Sequence, residues 1–266
     1  MARPDMPAAQ GVVRAAAEAD GERGGSQTLR ALLALRGMVL EGALAAGERV
    51  SELAIVERVG VSRTPVRAAL ARLAEEGLLE PIPSGGYTVR AFTAREVLEA
   101  IEIRGLLEGL AARLAAERGV SALALAPLKE CLGALDEVVG QDDLGAAGFA
   151  DYVELNARFH ALLVETAGSR LVERQIERAI TLPFASPSAF VMAQATMAEA
   201  RAILMIAQDH HRCVVEAIER REGSRAESLM REHSRLAGRN LGLALRSKGS
   251  IEKVPGAALI RRQEFA

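Results

Sequence analysis

"GVSRTPVRAAL", residues 60–70, sets a glycine, a serine and a proline ahead of an apolar repeat, with Arg63 and Arg67 one helical turn apart. Gly60 suits the left-handed residue that ends a helix, and Pro65 falls in the first turn of the next helix, where a missing N–H costs nothing. Ser62 or Thr64 can cap that helix. The spacing of Val66, Leu70 and Leu73 carries it from about Ser62 to Glu76, and Gly77 stops it. Upstream, Ser51 is a natural N-cap for a helix that ends at Gly60, preceded by a turn through Gly47, and the apolar repeat from Leu29 to about Gly42 is an earlier helix. Downstream, "LLEPIPSGGYTVRAF", residues 78–92, alternates and turns on Pro83, Ser84, Gly85 and Gly86, the pattern of a β-hairpin. Three short helices and a hairpin make a winged helix-turn-helix.

That fold gives the two arginines a task. In a helix-turn-helix the N-terminal part of the last helix enters the major groove of DNA, where a guanidinium can donate two hydrogen bonds to one guanine. Thr64 and the helix N-terminus can meet a phosphate. The bland alternative is that Arg63 and Arg67 merely solvate an exposed face; the turn, the caps and the hairpin around them argue for the groove.

Composition restricts the rest. The chain has 266 residues, 50% of them hydrophobic, enough for a sizeable core in one or two domains. A net charge of −2 and a pI near 6.2 give no bulk attraction to polyanions, so contact with nucleic acid must come from a local cluster. Cys131 and Cys213 lie in separate helical patterns, which favours buried thiols over a disulfide framework. No apolar run has the length of a membrane span or a secretory leader, so the expectation is a cytoplasmic protein.

After Phe92 the character changes. Thr93 to Glu96 form a capping box, and helical periodicity then continues to about Leu245 with breaks near Gly119, Gly140, Gly168, Pro183–Pro187 and Gly223. Six or seven helices and no strand are expected there. The chain is thus read as mainly α: a mobile arm over 1–26, a winged helix-turn-helix over 27–92, an all-α bundle over 93–247 and a loosely ordered tail over 248–266.

All four histidines fall in the bundle. His211 and His233 each stand eleven residues from Glu222 in the turn of a helical hairpin, and so lie level across it. His160 is on another helix with Asn156 one turn before it, on the same face. Three imidazoles and an oxygen donor converging on a bundle core can hold a divalent transition metal: zinc, nickel or manganese. They can equally be ordinary core or surface histidines. Periodicity does not choose between His210 and His211; the mirror spacing prefers His211.

Residues 29–90 resemble the DNA-binding domain of GntR-family transcription regulators, and "GVSRTPVR" is similar to the most specific stretch of that family. The resemblance implies that Arg63, Thr64 and Arg67 contact bases and phosphates, and that Gly85 and Gly86 lie in or near the minor groove. The chain departs from the pattern at Ala46–Gly47, where Pro–Gly is common, and at Ile55–Val56, where Leu–Ala is usual; both positions concern packing. Residues 93–245 resemble the FCD ligand-binding domain of the FadR subfamily, in which an Asp-x-x-x-His pair and two later histidines hold a metal beneath a small-molecule pocket. That pattern maps onto Asn156, His160, His211 and His233, with Asn156 in the place of the commoner aspartate. By the same resemblance Arg104 in "EIRGLLE" reaches a ligand carboxylate; its plain alternative is an ion pair with Glu108, one turn on.

The expectation is a ligand-responsive transcription regulator, not an enzyme. It is expected to be a homodimer on palindromic double-stranded operator DNA, since one winged helix reads too short a site, with a carboxylate-containing metabolite, an organic or sugar acid, as effector. The rival readings are a hydrolytic metal site, with Glu154 or Glu165 as the imagined base, and an architectural DNA-binding protein whose bundle only dimerises.

Overall fold

A computed structural model describes residues 25–195, 200–246 and 248–261, which divide into two compact units between Arg90 and Ala91. The expected arm over 1–26 lies almost wholly outside the described residues; positions 25 and 26 already belong to the first helix.

The first unit comprises α1 (25–40), β1 (Arg49–Val50), α2 (Glu52–Val59), α3 (Arg63–Glu75), β2 (Leu79–Pro81) and β3 (Tyr87–Val89). Ser51 caps α2 by accepting from the Ala54 amide, and Gly60 closes it in the left-handed region at φ 68°. Ser62 occupies the N-cap position of α3, but its side chain accepts no capping hydrogen bond. Val66, Leu70 and Leu73 are fully buried along one face of α3, with Ala31, Leu35 and Val39 of α1 and Ile55 of α2 in the same core. The hairpin pairs β2 with β3, Leu79 opposite Val89 and Pro81 opposite Tyr87, and turns with Gly85 and Gly86 at φ 94° and 88°. Sequence periodicity missed β1, whose two residues pair with β3 and complete a sheet in the order β1-β3-β2. A two-residue strand has too little alternation to register.

The second unit is helical: α4 (Ala94–Arg118), α5 (Ala122–Val139), α6 (Gly145–Thr166), α7 (Arg170–Ala179), α8 (Val191–Gln194), α9 (Ala200–Glu219), α10 (Gly223–Arg246) and α11 (Lys248–Ile251). The capping box at Thr93 is complete: the Thr93 hydroxyl accepts from the Glu96 amide at 3.1 Å and the Glu96 carboxylate accepts from the Thr93 amide at 2.8 Å. From there α4 runs as a spine packed against α6, α7, α9 and α10. It packs tightly on α10 at Gly105, where a β-carbon would stand only 2.0 Å from the Ser234 hydroxyl.

The tail needs correction. Over 248–261 it is packed, not loose: Ile251, Val254, Leu259 and Ile260 are buried, and Ile260 forms a parallel bridge with Phe92. The Phe92 amide donates to the Leu259 carbonyl at 2.7 Å, and the Arg261 amide to the Phe92 carbonyl at 2.8 Å. Its apolar residues fit neither helical nor strand spacing, because a four-residue helix, turns and a single bridge to Phe92 follow one another within fourteen residues.

Candidate functional sites

On the first unit, Arg63, Thr64 and Arg67 are all exposed at the N-terminal end of α3, on the side away from the buried stripe. Arg67 is tethered there. Its Nε donates to both oxygens of Glu52, at 2.9 and 3.2 Å, from the first turn of α2. That contact occupies the Nε edge and leaves the two terminal nitrogens to donate elsewhere. In the wing, Gly85 offers its carbonyl to Arg49 Nη2 at 3.0 Å. Glu52 and Arg49 are the residues that sequence reasoning missed on this face. Neither belongs to α3, and their part is visible only once the helix and the wing are folded beside them.

On the second unit, α6, α9 and α10 bring His160, His211 and His233 together, all buried, with one ring nitrogen of each within 4.8 Å of the others. The α9–α10 hairpin sets His211 and His233 level, their Nε2 atoms 3.2 Å apart. His210, one residue along, is only half-buried, with its ring centre 6.1 Å from that of His233. Asn156 is buried one turn before His160, and its amide nitrogen donates to Ser188 Oγ at 3.0 Å. This leaves the Asn156 carbonyl oxygen as the atom with which it can ligate.

Hydrogen bonds from outside the cluster fix the tautomers of His160 and His211, whereas His233 Nδ1 has no partner among the described residues. His160 Nδ1 stands 2.8 Å from Glu108 Oε1. Burial pushes the Glu108 carboxyl up, but the charges of His160 and Arg104 and the hydrogen bond from His160 outweigh it and hold the group below its ordinary range. Ionised, Glu108 can only accept, so His160 Nδ1 carries the proton. His211 Nδ1 faces Gln208 Oε1 at 3.0 Å, while Gln208 Nε2 donates to the Leu132 carbonyl and the Asp136 carboxylate. His211 is therefore also protonated on Nδ1. In its neutral form each ring presents a bare Nε2 lone pair to the same space, and His160 Nε2 has no partner among the described residues. Burial first, and the neighbouring imidazoles second, hold His211 and His233 well below the ordinary histidine range, so both are neutral at pH 7. Neutral rings whose far nitrogens are tied to a carboxylate or an amide are the arrangement in which histidine binds a metal, and the residues fit one. Glu108 and Gln208 are the partners that sequence reasoning did not assign; Gln208, three residues before His211 on one helical face, was the available signal.

Arg104 lies beside this cluster with 1% exposure. Its Nε is 3.9 Å from Glu108 Oε2, too far for a hydrogen bond, and Nε and Nη1 both lack partners. The ion pair is thus loose, because Glu108 is committed to His160, and a buried guanidinium is left with donors to spare. Arg104, Asn156 and His233 share one small pocket with residues of α8, α9 and α10. Glu154 and Glu165, the imagined bases, are exposed on the other side of α6 and do not reach the buried cluster.

Comparison with known proteins places the chain among regulators. Residues 27–89 match the family described as bacterial regulatory proteins, gntR family, and residues 99–236 match the FCD domain. The HTH-type transcriptional regulator YdhC of Bacillus subtilis is 30% identical over 54% of this chain and 62% of its own length. The HTH-type transcriptional repressor GlaR of Escherichia coli is 26% identical over 75% of this chain and 88% of its own. The solved structure of E. coli McbR/YncC covers 82% of this chain and 96% of its own at 23% identity, with a TM-score of 0.53, which shows a shared fold. With YdhC and the Nta operon transcriptional regulator of Aminobacter aminovorans, the chain spans between 53% and 62% of the relative's length.

Proposed function

We propose that this chain, which belongs to the GntR family of bacterial regulatory proteins and carries the FCD domain, is a DNA-binding transcription regulator and not an enzyme, and that it acts in the cytoplasm as a homodimer on palindromic operator DNA and answers to a small organic or sugar acid held over a divalent metal. On the DNA side, Arg63 and Arg67 donate to base edges, Thr64 meets a phosphate, and the wing follows the backbone at Gly85 and Gly86.

The observation that carries the effector reading is a cluster of three convergent imidazoles, one of which, His233, lines the same pocket as an under-partnered buried arginine, Arg104. His160, His211 and His233, with the Asn156 oxygen, would hold the metal. When bound, zinc, nickel or manganese would supply a fixed positive charge and open coordination positions. The protein side chains do the rest. Glu108 and Gln208 keep the His160 and His211 lone pairs turned inward, Arg104 holds a carboxylate, and the apolar walls exclude water. As metal ligands the three histidines and Asn156 are all neutral, and the charges of Arg104 and Glu108 cancel. A divalent ion here therefore keeps its full charge in a low-dielectric core, and an anionic effector balances it. Metal and acid should then bind with reciprocal enhancement, and the acid biases the equilibrium between DNA-binding and released states.

The test is calorimetric titration of metal-stripped protein with zinc, nickel or manganese, with and without carboxylates, followed by operator binding under the same conditions. Metal uptake should be weak alone, stronger with acid, and lost in His160→Ala and His211→Ala. Asn156→Asp should tighten the metal and weaken the acid. Stoichiometric uptake that survives both histidine changes, or operator binding indifferent to metal and acid together, would reject the reading.

A further inference from the structure

The pocket beside the histidines carries more polar groups than the metal reading uses. Arg104, Tyr152 and Gln194 line it, each with 1% exposure. Arg104 Nε and Nη1, the Tyr152 hydroxyl and both the oxygen and the nitrogen of the Gln194 amide have no hydrogen-bond partner among the described residues. Buried polar atoms are nearly always paired, and a cluster left unpaired in one cavity marks where something polar binds. Asn156, His233 and Asn240 also line it, the first two as ligands in the metal reading, and the other walls, such as Phe190, Val191, Leu204 and Leu236, are apolar.

The donors and acceptors are not symmetric. Arg104 only donates. Tyr152 keeps its proton, since burial pushes its hydroxyl far above its ordinary range, and it can donate or accept. Gln194, whichever way its amide is turned, presents one donor and one acceptor. A simple carboxylate brings acceptors alone: it satisfies the guanidinium and the Gln194 nitrogen but leaves the Gln194 oxygen bare. A second group on the ligand must supply a proton. An ammonium would do so only against the charge of Arg104, whereas a hydroxyl donates without adding charge. Size narrows the class further. The free space is about 30 Å³, where one water takes roughly 10–15 Å³. It admits the bulk of two or three waters, a compact acid of two or three carbons and not a sugar acid.

We propose that Gln194 is the specificity-determining residue of this pocket: its amide oxygen accepts a hydrogen bond from a hydroxyl of a small hydroxy acid whose carboxylate is held by Arg104. The inference rests on the effector reading above and deepens it. Because Gln194 stands on α8, a helix of four residues outside every motif, nothing in the sequence pattern singles it out.

Matched acids that differ by one hydroxyl test this in the full chain loaded with zinc: acetate against glycolate, and propionate against each enantiomer of lactate, by calorimetry. The wild type should favour the hydroxy member of a pair by about tenfold or more. Gln194→Leu should bring the hydroxy acid down to the level of its plain partner, while propionate stays within about threefold of its wild-type affinity. Gln194→Met repeats the comparison should the leucine variant fold poorly by near-ultraviolet dichroism. Equal affinity for both members in the wild type overturns the proposal, as does a preference that survives both substitutions. Arg104→Met separates the two levels. Loss of every acid in that variant supports the carboxylate reading; wild-type affinity there, with the hydroxyl preference still dependent on Gln194, removes Arg104 from the reading and leaves Gln194 in place. A wild-type protein that binds none of the acids refutes both.

Discussion

Arg63 and Arg67 are both exposed and differ in one respect: Arg67 is tied to Glu52 through its Nε, whereas Arg63 has no ion pair among the described residues. A guanidinium held by a carboxylate is pre-aimed, and its ordering cost is already met before DNA arrives. Arg63→Ala and Arg67→Ala should each cost about 1–3 kcal/mol on operator DNA and relax the preference at one base pair. Glu52→Ala should lower the ratio of operator to random-sequence affinity while raising random-sequence affinity, since it frees Arg67 and removes a negative charge from the DNA-facing side. Competition binding at fixed salt checks all three; a Glu52 variant with an unchanged ratio would show that the tether aims nothing. The buried histidines give a second prediction at this scale. In the metal-free protein, His211 and His233 are held well below the ordinary histidine range of about 6.5, so the unfolded chain takes up protons first as pH falls. Stability should be unchanged above about pH 6.5 and decline below it, by up to about 1.4 kcal/mol per pH unit for each histidine. Denaturant titrations at several pH values in chelator measure the slope, and His233→Gln should reduce it.

Among the elements, the wing and the α4–α10 pair are the most constrained. Gly85 and Gly86 both adopt positive φ, which a residue with a β-carbon rarely accepts. Gly86→Val should weaken operator binding while the far-ultraviolet spectrum keeps its helical signal; wild-type affinity would mean that the wing stays clear of DNA. The contact of α4 with α10 depends on Gly105, whose added methyl would overlap both the hydroxyl and the β-carbon of Ser234. Gly105→Ala should therefore destabilise the protein by about 1–3 kcal/mol in chemical denaturation. Ser234→Gly in the same chain should recover much of that loss, since it removes both overlapping atoms, whereas Ser234→Ala should not.

For the molecule as a whole, the C-terminal segment completes the core of the second unit. Residues 248–261 extend beyond the matched FCD region, yet they bury Ile251, Val254, Leu259 and Ile260 and hydrogen-bond both sides of the Phe92 peptide. The Phe92 ring in turn meets that of Phe184 at 4.7 Å, just ahead of α8 and the pocket. A fully buried aliphatic side chain contributes about 1.5–3 kcal/mol, so a chain that stops after residue 247 should lose at least about 3 kcal/mol of stability, read as an earlier denaturant midpoint. An unchanged midpoint would show that the segment is a passive wrapping. Among the described residues no helix is long and apolar enough to cross a membrane.

The sequence by itself determined the elements and their caps. Ser51, Gly60, the Thr93 capping box and the stripe of Val66, Leu70 and Leu73 act within a turn or two of chain, and the winged helix-turn-helix followed by helices is borne out. The mirror spacing about Glu222 had a geometric meaning of the same local kind, because a helical hairpin converts equal counts from its turn into equal height. Only the tertiary structure decided the rest. It set Glu108 on His160 and left Arg104 under-partnered, brought Gln194 from a four-residue helix to a pocket lined from α4, α6 and α10, and wrapped a seemingly loose tail around Phe92. These contacts join residues separated by tens of positions, and a side chain's partner across such a distance is chosen by packing, which leaves no period in the sequence to read.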